Sequence, residues 1–263
     1  MTKKIKKNTQ PKFEIRGLSK RFGKKKVLDG LDLDVYPNES LVVVGGSGTG
    51  KSVLIKSIVG LINPDSGSVK YEGHEITSLN RNERNVLMTK FGFLFQGGAL
   101  FDSMPVWENI SFSMIHNKDI PNSHAKDVAF KKLKLVGLDP DAVMDLYPSE
   151  LSGGMQKRVA LARAIACDPE VIFFDEPTTG LDPIMANVIN ELIVRCREEN
   201  NATTIAITHD INSTRRIADR VAMLYDGKIE WIGSVKEIDK PNDAIFKQFI
   251  NGEIKGPIKV DLR

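Results

Sequence analysis

The sequence predicts an α/β fold: a mainly parallel sheet, a smaller antiparallel β portion, and a helical insertion. Three observations predict it. Ser40–Val44, Val171–Phe174, Thr203–Thr208 and Val221–Tyr225 are short, unbroken runs rich in β-branched and aromatic residues. Such runs belong to strands covered on both faces, as in a parallel sheet. Pro183–Glu199 and Asn212–Asp219 lie between them with helical character, which makes strand–helix–strand units. Residues 97–165, by contrast, carry little β signal and several helical stretches.

Residues 1–11 are expected to be a disordered basic terminus ending at Pro11, and residues 12–251 a single α/β domain. Phe13–Arg16 and Val27–Val35 alternate apolar and polar, the period of half-buried strands. The buried run Ser40–Val44 leads into a glycine-rich turn and a helix over Ser52–Val59. Asn63–Gly67 is a turn, and Ser68–Tyr71 and Phe91–Phe95 are further short strands. In the insertion, Val106–Ser113, His124–Val136, Asp141–Leu146 and Gly153–Cys167 read as helices. Asp226-Gly227 is a hairpin-type turn into Lys228–Ile232, residues 234–251 a closing helical pair, and 252–263 an irregular C-terminal extension.

With 263 residues and 41% hydrophobic content the chain can bury a sizeable core, which excludes low-complexity disorder. Uncharged apolar runs such as Leu41–Gly50 and Phe91–Leu100 are about half the ~20 residues that span a bilayer. The basic start lacks the apolar stretch of a secretory signal. Cys167 and Cys196 lie far from any metal-ligand spacing and read as small buried hydrophobes in a reducing compartment. These points together predict a cytoplasmic protein. Net charge is +3, but residues 1–26 hold nine Lys and two Arg against one Glu, leaving −7 for the rest. Such an arm is either a solvated terminus or a contact for anionic lipid headgroups. Nucleic acid is not expected as a partner, because no aromatic residues interleave with the basic ones to stack on bases.

Gly45-Gly46-Ser47-Gly48-Thr49-Gly50-Lys51-Ser52 fits G-x-x-x-x-G-K-[ST], after a buried strand and opening a helix. Glycines allow successive N–H groups to turn inward as an anion nest, and the helix N-terminus adds its positive end. Lys51 supplies a point charge for the β and γ phosphates of ATP, the Ser52 hydroxyl a Mg²⁺ ligand, and Val53 continues the binding segment. Val171–Phe174 ends in Asp175-Glu176, which places Asp175 toward Mg²⁺ and Glu176 as general base for the attacking water.

Leu151-Ser152-Gly153-Gly154-Met155-Gln156 precedes a long helix, and its order resembles the LSGGQ signature of the ATP-binding cassette (ABC) ATPases. Gln96 resembles that family's Q-loop, Thr179-Gly180-Leu181-Asp182 its D-loop, and Thr208-His209-Asp210 its histidine switch. Phe22 stands where the family places an aromatic that stacks on adenine. The resemblance implies an ABC ATPase core working as a head-to-tail homodimer with two ATPs sandwiched between protomers. Ser152, Gly153 and Gly154 of one protomer would then close over the phosphates held by Lys51 of the other, with Asp182 beside them. His209 would hold Glu176 and the water in line, and Gln96 would complete the Mg²⁺ shell and report nucleotide state to a docked partner. Two departures stand out. Met155 occupies the usual Gln position of the signature, and Phe22 lacks the hydroxyl of the commoner Tyr.

Gln96–Met104, Val106–Ile110, Asp175–Met185 and the ending Phe249–Gly252 with Gly256–Ile258 are similar to the Mla/Mce-type phospholipid transport ATPases. That similarity implies a peripheral subunit on the cytoplasmic side of a bacterial inner membrane, powering phospholipid movement that maintains lipid asymmetry. Its partners would be an integral MlaE-like permease docked on the helical insertion through residues 97–150 and an Mce-domain lipid-binding protein, with a cytoplasmic accessory subunit as a further candidate. It also implies that residues 252–263 leave their own domain for the partner ATPase. The competing reading is an ABC importer ATPase for a small polar solute such as an amino acid.

Overall fold

The computed structural model describes residues 10–118 and 120–259; the start of the basic arm, residues 1–9, lies outside them. In chain order the strands and helices begin with β1 (Phe13–Phe22), β2 (Lys25–Val35), β3 (Ser40–Val44), α1 (Lys51–Ile58), β4 (Ser66–Tyr71) and β5 (His74–Glu75). There follow α2 (Arg81–Met88), β6 (Phe91–Leu94), α3 (Val106–Lys118), α4 (Asn122–Leu135), α5 (Pro140–Val143) and α6 (Gly153–Ala164). The chain continues with β7 (Val171–Asp175), α7 (Pro183–Asn200), β8 (Thr203–Thr208), α8 (Ile211–Ile217), β9 (Arg220–Tyr225), β10 (Lys228–Ser234) and α9 (Ala244–Asn251). Two compact units result, one of residues 1–84 with 207–263 and one of residues 85–206.

In the first unit an antiparallel sheet runs in the order β2-β1-β4-β5. Its alternation places Phe13, Ile15, Leu18, Leu28 and Leu31 inward with no more than 1% exposure, and Phe13 tilts against Tyr71 at 5.1 Å between ring centres. The unbroken run of β3 is buried at every position and pairs in parallel with β9, while β9 pairs antiparallel with β10. Asp226 and Gly227 both take positive φ, 46° and 75°, between those strands. This is the turn whose twist matches a two-residue hairpin.

In the second unit β6 and β7 pair in parallel, with Leu94 opposite Phe174. Phe91 and Phe93 contact Phe173 at 5.5 and 5.0 Å between ring centres. Helices α3, α4 and α6 pack on one another through Val106, Ile110, Ala125, Ala129, Leu133 and Val159, all fully buried. The buried Asn109 amide donates to the carbonyls of Phe101 (3.0 Å) and Met104 (2.8 Å) and accepts from the Phe101 N–H. One side chain thereby satisfies the turn that enters α3. Among the described residues no helix is long and apolar enough to cross a membrane.

Three local features differ from what the sequence pattern predicts. Helix α2 is not predicted, because it is polar on average and buries no residue. A capping box sets its start instead: Asn80 accepts from the N–H groups of Asn82 and Glu83, and Glu83 accepts from that of Asn80. The helical pair expected over 234–251 is a single 3₁₀ turn, Val235–Glu237, followed by α9 alone. Pro241 lies in the gap, where its missing N–H interrupts helical bonding. Of the two cysteines expected to be buried, Cys196 is, and burial pushes its thiol up to about 12, whereas Cys167 is only half-buried.

The tail holds to its own unit through Ile258. Gln248 on α9, 3% exposed, donates to the carbonyls of Glu253 (3.0 Å) and Ile258 (3.1 Å) and accepts from the Ile258 N–H (2.6 Å). The expected departure toward a partner ATPase is therefore not seen over 253–258, and residues 260–263 lie outside the described residues. Gln248→Leu keeps the side chain's bulk and removes bonds worth about 1 kcal/mol each. Trypsin cleavage after Lys255, followed by mass spectrometry, is expected to accelerate roughly tenfold or more with little change in melting temperature.

Candidate functional site: a phosphate loop and a strand-end carboxylate pair

The expected site residues divide between the two units. In the first, the buried strand β3 ends at Val44 and hands the chain to Gly45–Gly50, after which α1 begins at Lys51. The loop needs glycine at two places. A Cβ on Gly45 would lie 2.5 Å from the Leu224 carbonyl oxygen, a backbone atom that cannot swing aside. Gly50, at φ 105°, sits in left-handed territory and would also press a Cβ to 2.8 Å from Val27.

Lys51 is 7% exposed and curls back over its own loop, its ammonium donating to the carbonyls of Gly45 (2.8 Å) and Gly46 (3.0 Å). Thr49 donates its hydroxyl to Gly46 O at 2.9 Å. Carbonyls thus point to the lysine, which leaves the loop's N–H groups to face outward around Ser47 and Gly48, both exposed. Ser52 and Val53 are half-buried in the first turn of α1.

Phe22, at the end of β1, is 50% exposed, with the Lys20 ammonium 5.7 Å from its ring centre. His209 is exposed just past the end of β8. Its neighbour Asp210 starts α8, accepting from the N–H of Asn212 and the hydroxyl of Ser213.

In the second unit the register of β6 against β7 brings three expected residues to one edge. Leu94 lies opposite Phe174, so Gln96 leaves β6 at the level where Asp175 and Glu176 leave β7. Glu176 is 9% exposed, takes φ +49°, and accepts from the Thr179 hydroxyl at 3.2 Å. A non-glycine residue held left-handed is strained, and such strain concentrates where a side chain must be aimed.

The signature segment opens α6. The exposed Ser152 caps the helix by accepting from Met155 N–H, and Gly153 is exposed beside it. Gly154 is half-buried, and the methyl of Met185 lies 2.8 Å from where its Cβ would stand. Gln156 does not replace the missing signature glutamine, because its amide is turned inward to the carbonyls of Pro148 (2.9 Å) and Leu151 (3.3 Å). Asp182 caps α7, accepting from Ile184 and Met185 N–H at 2.9 and 3.0 Å.

Two cations of the site escaped the sequence reading. Lys157, 7% exposed on α6, donates to the Gln96 carbonyl. Burial lowers its pKa from the ordinary lysine range, opposed by the nearby charge of Asp175. Arg163 donates to the carbonyls of Gly98 (2.6 Å) and Ala99 (2.7 Å), and burial lowers its pKa too. The available signal was a lysine and an arginine inside the apolar stretch Val159–Ala164 and just before it, where an amphipathic helix would place them outward.

A model of the ABC transporter family matches residues 28–179. The chain is 38% identical over 246 residues to the probable ribonucleotide transport ATP-binding protein mkl of Mycobacterium leprae, covering 94% of this chain and 70% of that one. It is 37% identical over 247 residues to the intermembrane phospholipid transport system ATP-binding protein MlaF of Haemophilus influenzae, covering 94% and 93%. Among solved structures, the dimeric bacterial ABC transporter cassette MJ0796 superposes with a TM-score of 0.78 at 29% identity, covering 85% of this chain and 98% of that one. The chain belongs to the ABC transporter family. It is the nucleotide-binding ATPase of that family, whose hydrolysis of ATP is coupled to transport.

Two substitutions separate charge from shape in the loop. Lys51→Ala is expected to fold normally and lose nucleotide affinity by roughly tenfold or more, the size of one charged hydrogen bond. Gly45→Ala is expected to lose affinity and melting temperature together. Titration with a fluorescent ATP analogue, beside melting curves, checks both.

Proposed function

We propose that this chain powers the movement of phospholipid between the inner and outer membranes of a bacterium, as a peripheral homodimer on the cytoplasmic face of the inner membrane. The observation that carries the hydrolytic part is the row of Gln96, Asp175 and Glu176 at adjacent strand ends, with Glu176 buried and strained. The lipid part is supported by similarity to MlaF over 93% of that protein's length, added to the motif stretches around Gln96 and Asp175.

In this reading two protomers meet head to tail. The loop Gly45–Ser52 of one and Ser152–Gly154 of the other enclose the triphosphate, with Phe22 stacked on adenine and Asp182 at the junction. The oxygens of Ser52, Gln96 and Asp175 are a hard donor set that fits Mg²⁺, and a bound Mg²⁺ would neutralise charge on the β and γ phosphates. Lys51 releases its own loop carbonyls to pair with phosphate oxygens. Glu176 accepts the proton of the attacking water while His209 holds the two in line. Closure excludes bulk water, which strengthens each of these contacts. Helices in the 97–165 insertion dock a permease, residues 252–263 form a C-terminal extension, and the complex includes an Mce-domain lipid carrier and an accessory cytoplasmic subunit.

A second reading is favoured by the name of the mycobacterial relative, which assigns ribonucleotide transport. It makes this chain an ABC ATPase for a small polar solute. One variant tests both readings. Glu176→Gln is expected to bind ATP, lose turnover by roughly a hundredfold or more, and trap the closed dimer. Purified with ATP from membranes of its host, it is expected to bring down a permease and an Mce-domain protein, identified by mass spectrometry. A permease with a soluble solute-binding protein would establish the second reading instead.

A further inference from the structure

The signature helix holds the Q-loop by its backbone. Lys157 donates to the carbonyl of Gln96, and Arg163, further along α6, donates to those of Gly98 and Ala99. Gly98 and Ala99 take successive left-handed φ values of 75° and 51°, which turns two neighbouring carbonyls to one guanidinium. The same loop is tied at its far end by Asn109, which bonds Phe101 and Met104 to α3. Hydrogen bonds thus tie this loop at both ends, Gln96, Gly98 and Ala99 to α6 and Phe101 and Met104 to α3.

Lys157 is the member of this set whose presence stability does not explain. It is buried, and a methionine of similar length would fill the space without the cost of desolvating an ammonium. What the ammonium adds is placement. It is tied to the Gln96 backbone by a hydrogen bond, and it lies near enough to Asp175 to feel that carboxylate's charge. Gln96 and Asp175 come from different strands, and the Lys157 bond joins the Gln96 backbone to α6.

We propose that Lys157 is a positioning residue for hydrolysis: its ammonium keeps the Gln96 backbone in register with Asp175 and makes the Q-loop move with the signature helix. Movement of Ser152 and Gly153 on meeting a nucleotide is then carried along α6 to the loop. Loss of the ammonium uncouples the two, so ATP still binds to Gly45–Ser52 while Gln96 no longer follows. The inference rests on the reading of Gln96, Asp175 and Glu176 as the hydrolytic set.

The test uses the full chain with ATP and Mg²⁺ varied separately. Lys157→Met is expected to lower kcat roughly tenfold or more, the effect of one charge-assisted hydrogen bond, with KM for ATP within about threefold of wild type. The Mg²⁺ concentration for half-maximal rate is expected to rise. Lys157→Arg, which can donate to the same carbonyl, is expected to recover most of kcat. Melting curves accompany each variant, and if the methionine variant does not fold, Lys157→Gln, a donor without charge, is judged by the same criteria. Wild-type kcat in a folded methionine or glutamine variant would overturn the proposal. So would kcat and KM failing together with arginine giving no rescue, because that pattern marks a merely structural lysine. Wild-type turnover that persists in Glu176→Gln would instead overturn the hydrolytic assignment on which the proposal rests.

Discussion

A strand buried on both faces can expose polar groups only where it ends, and the chemistry of this protein is organised by that constraint. β3 is covered along its whole length and stops at Val44; the phosphate loop begins with the next residue. β7 is covered to Phe174 and stops at Asp175, which is half-buried, and Glu176 follows. β6 stops at Leu94 and Gln96 follows two residues on. Each side chain proposed for the reaction is thereby anchored by apolar packing worth far more than the local turn that displays it.

Holding a triphosphate also requires donors that are arranged before the ligand arrives. Lys51 accomplishes part of this by bonding to the carbonyls of Gly45 and Gly46, which sets the opposite, N–H side of those peptides outward. The backbone can follow this path only because Gly45 passes against the Leu224 carbonyl with no Cβ between them. Shape and charge in the loop are therefore separable properties, one set by glycines and the other by a single lysine.

Helix α6 is fastened along its length by side-chain hydrogen bonds. Its first residue is capped by Ser152, and Gln156 fastens that end to Pro148 and Leu151. Lys157 and Arg163 then bind it to the loop after β6. The inward turn of Gln156 accounts for the altered signature: the glutamine next to Met155 is committed to the preceding turn.

The fold class and the position of each strand buried on both faces were legible in the sequence, and the proposed site residues were named from it, because these depend on local pattern: apolar runs, turn chemistry, and a glycine-rich string of fixed spacing. Helix α2 was not, since it buries nothing and is set by its cap, and neither was the single 3₁₀ turn before α9. Only the tertiary structure decided the partners of groups that meet across long stretches of chain. Lys157 reaches a carbonyl 61 residues away, and Arg163 reaches carbonyls 64 and 65 residues away. Gln248, in the same way, takes the tail that the sequence left irregular. A backbone carbonyl is the same acceptor at every position, so no side-chain pattern marks which one a buried cation will find; packing alone selects it.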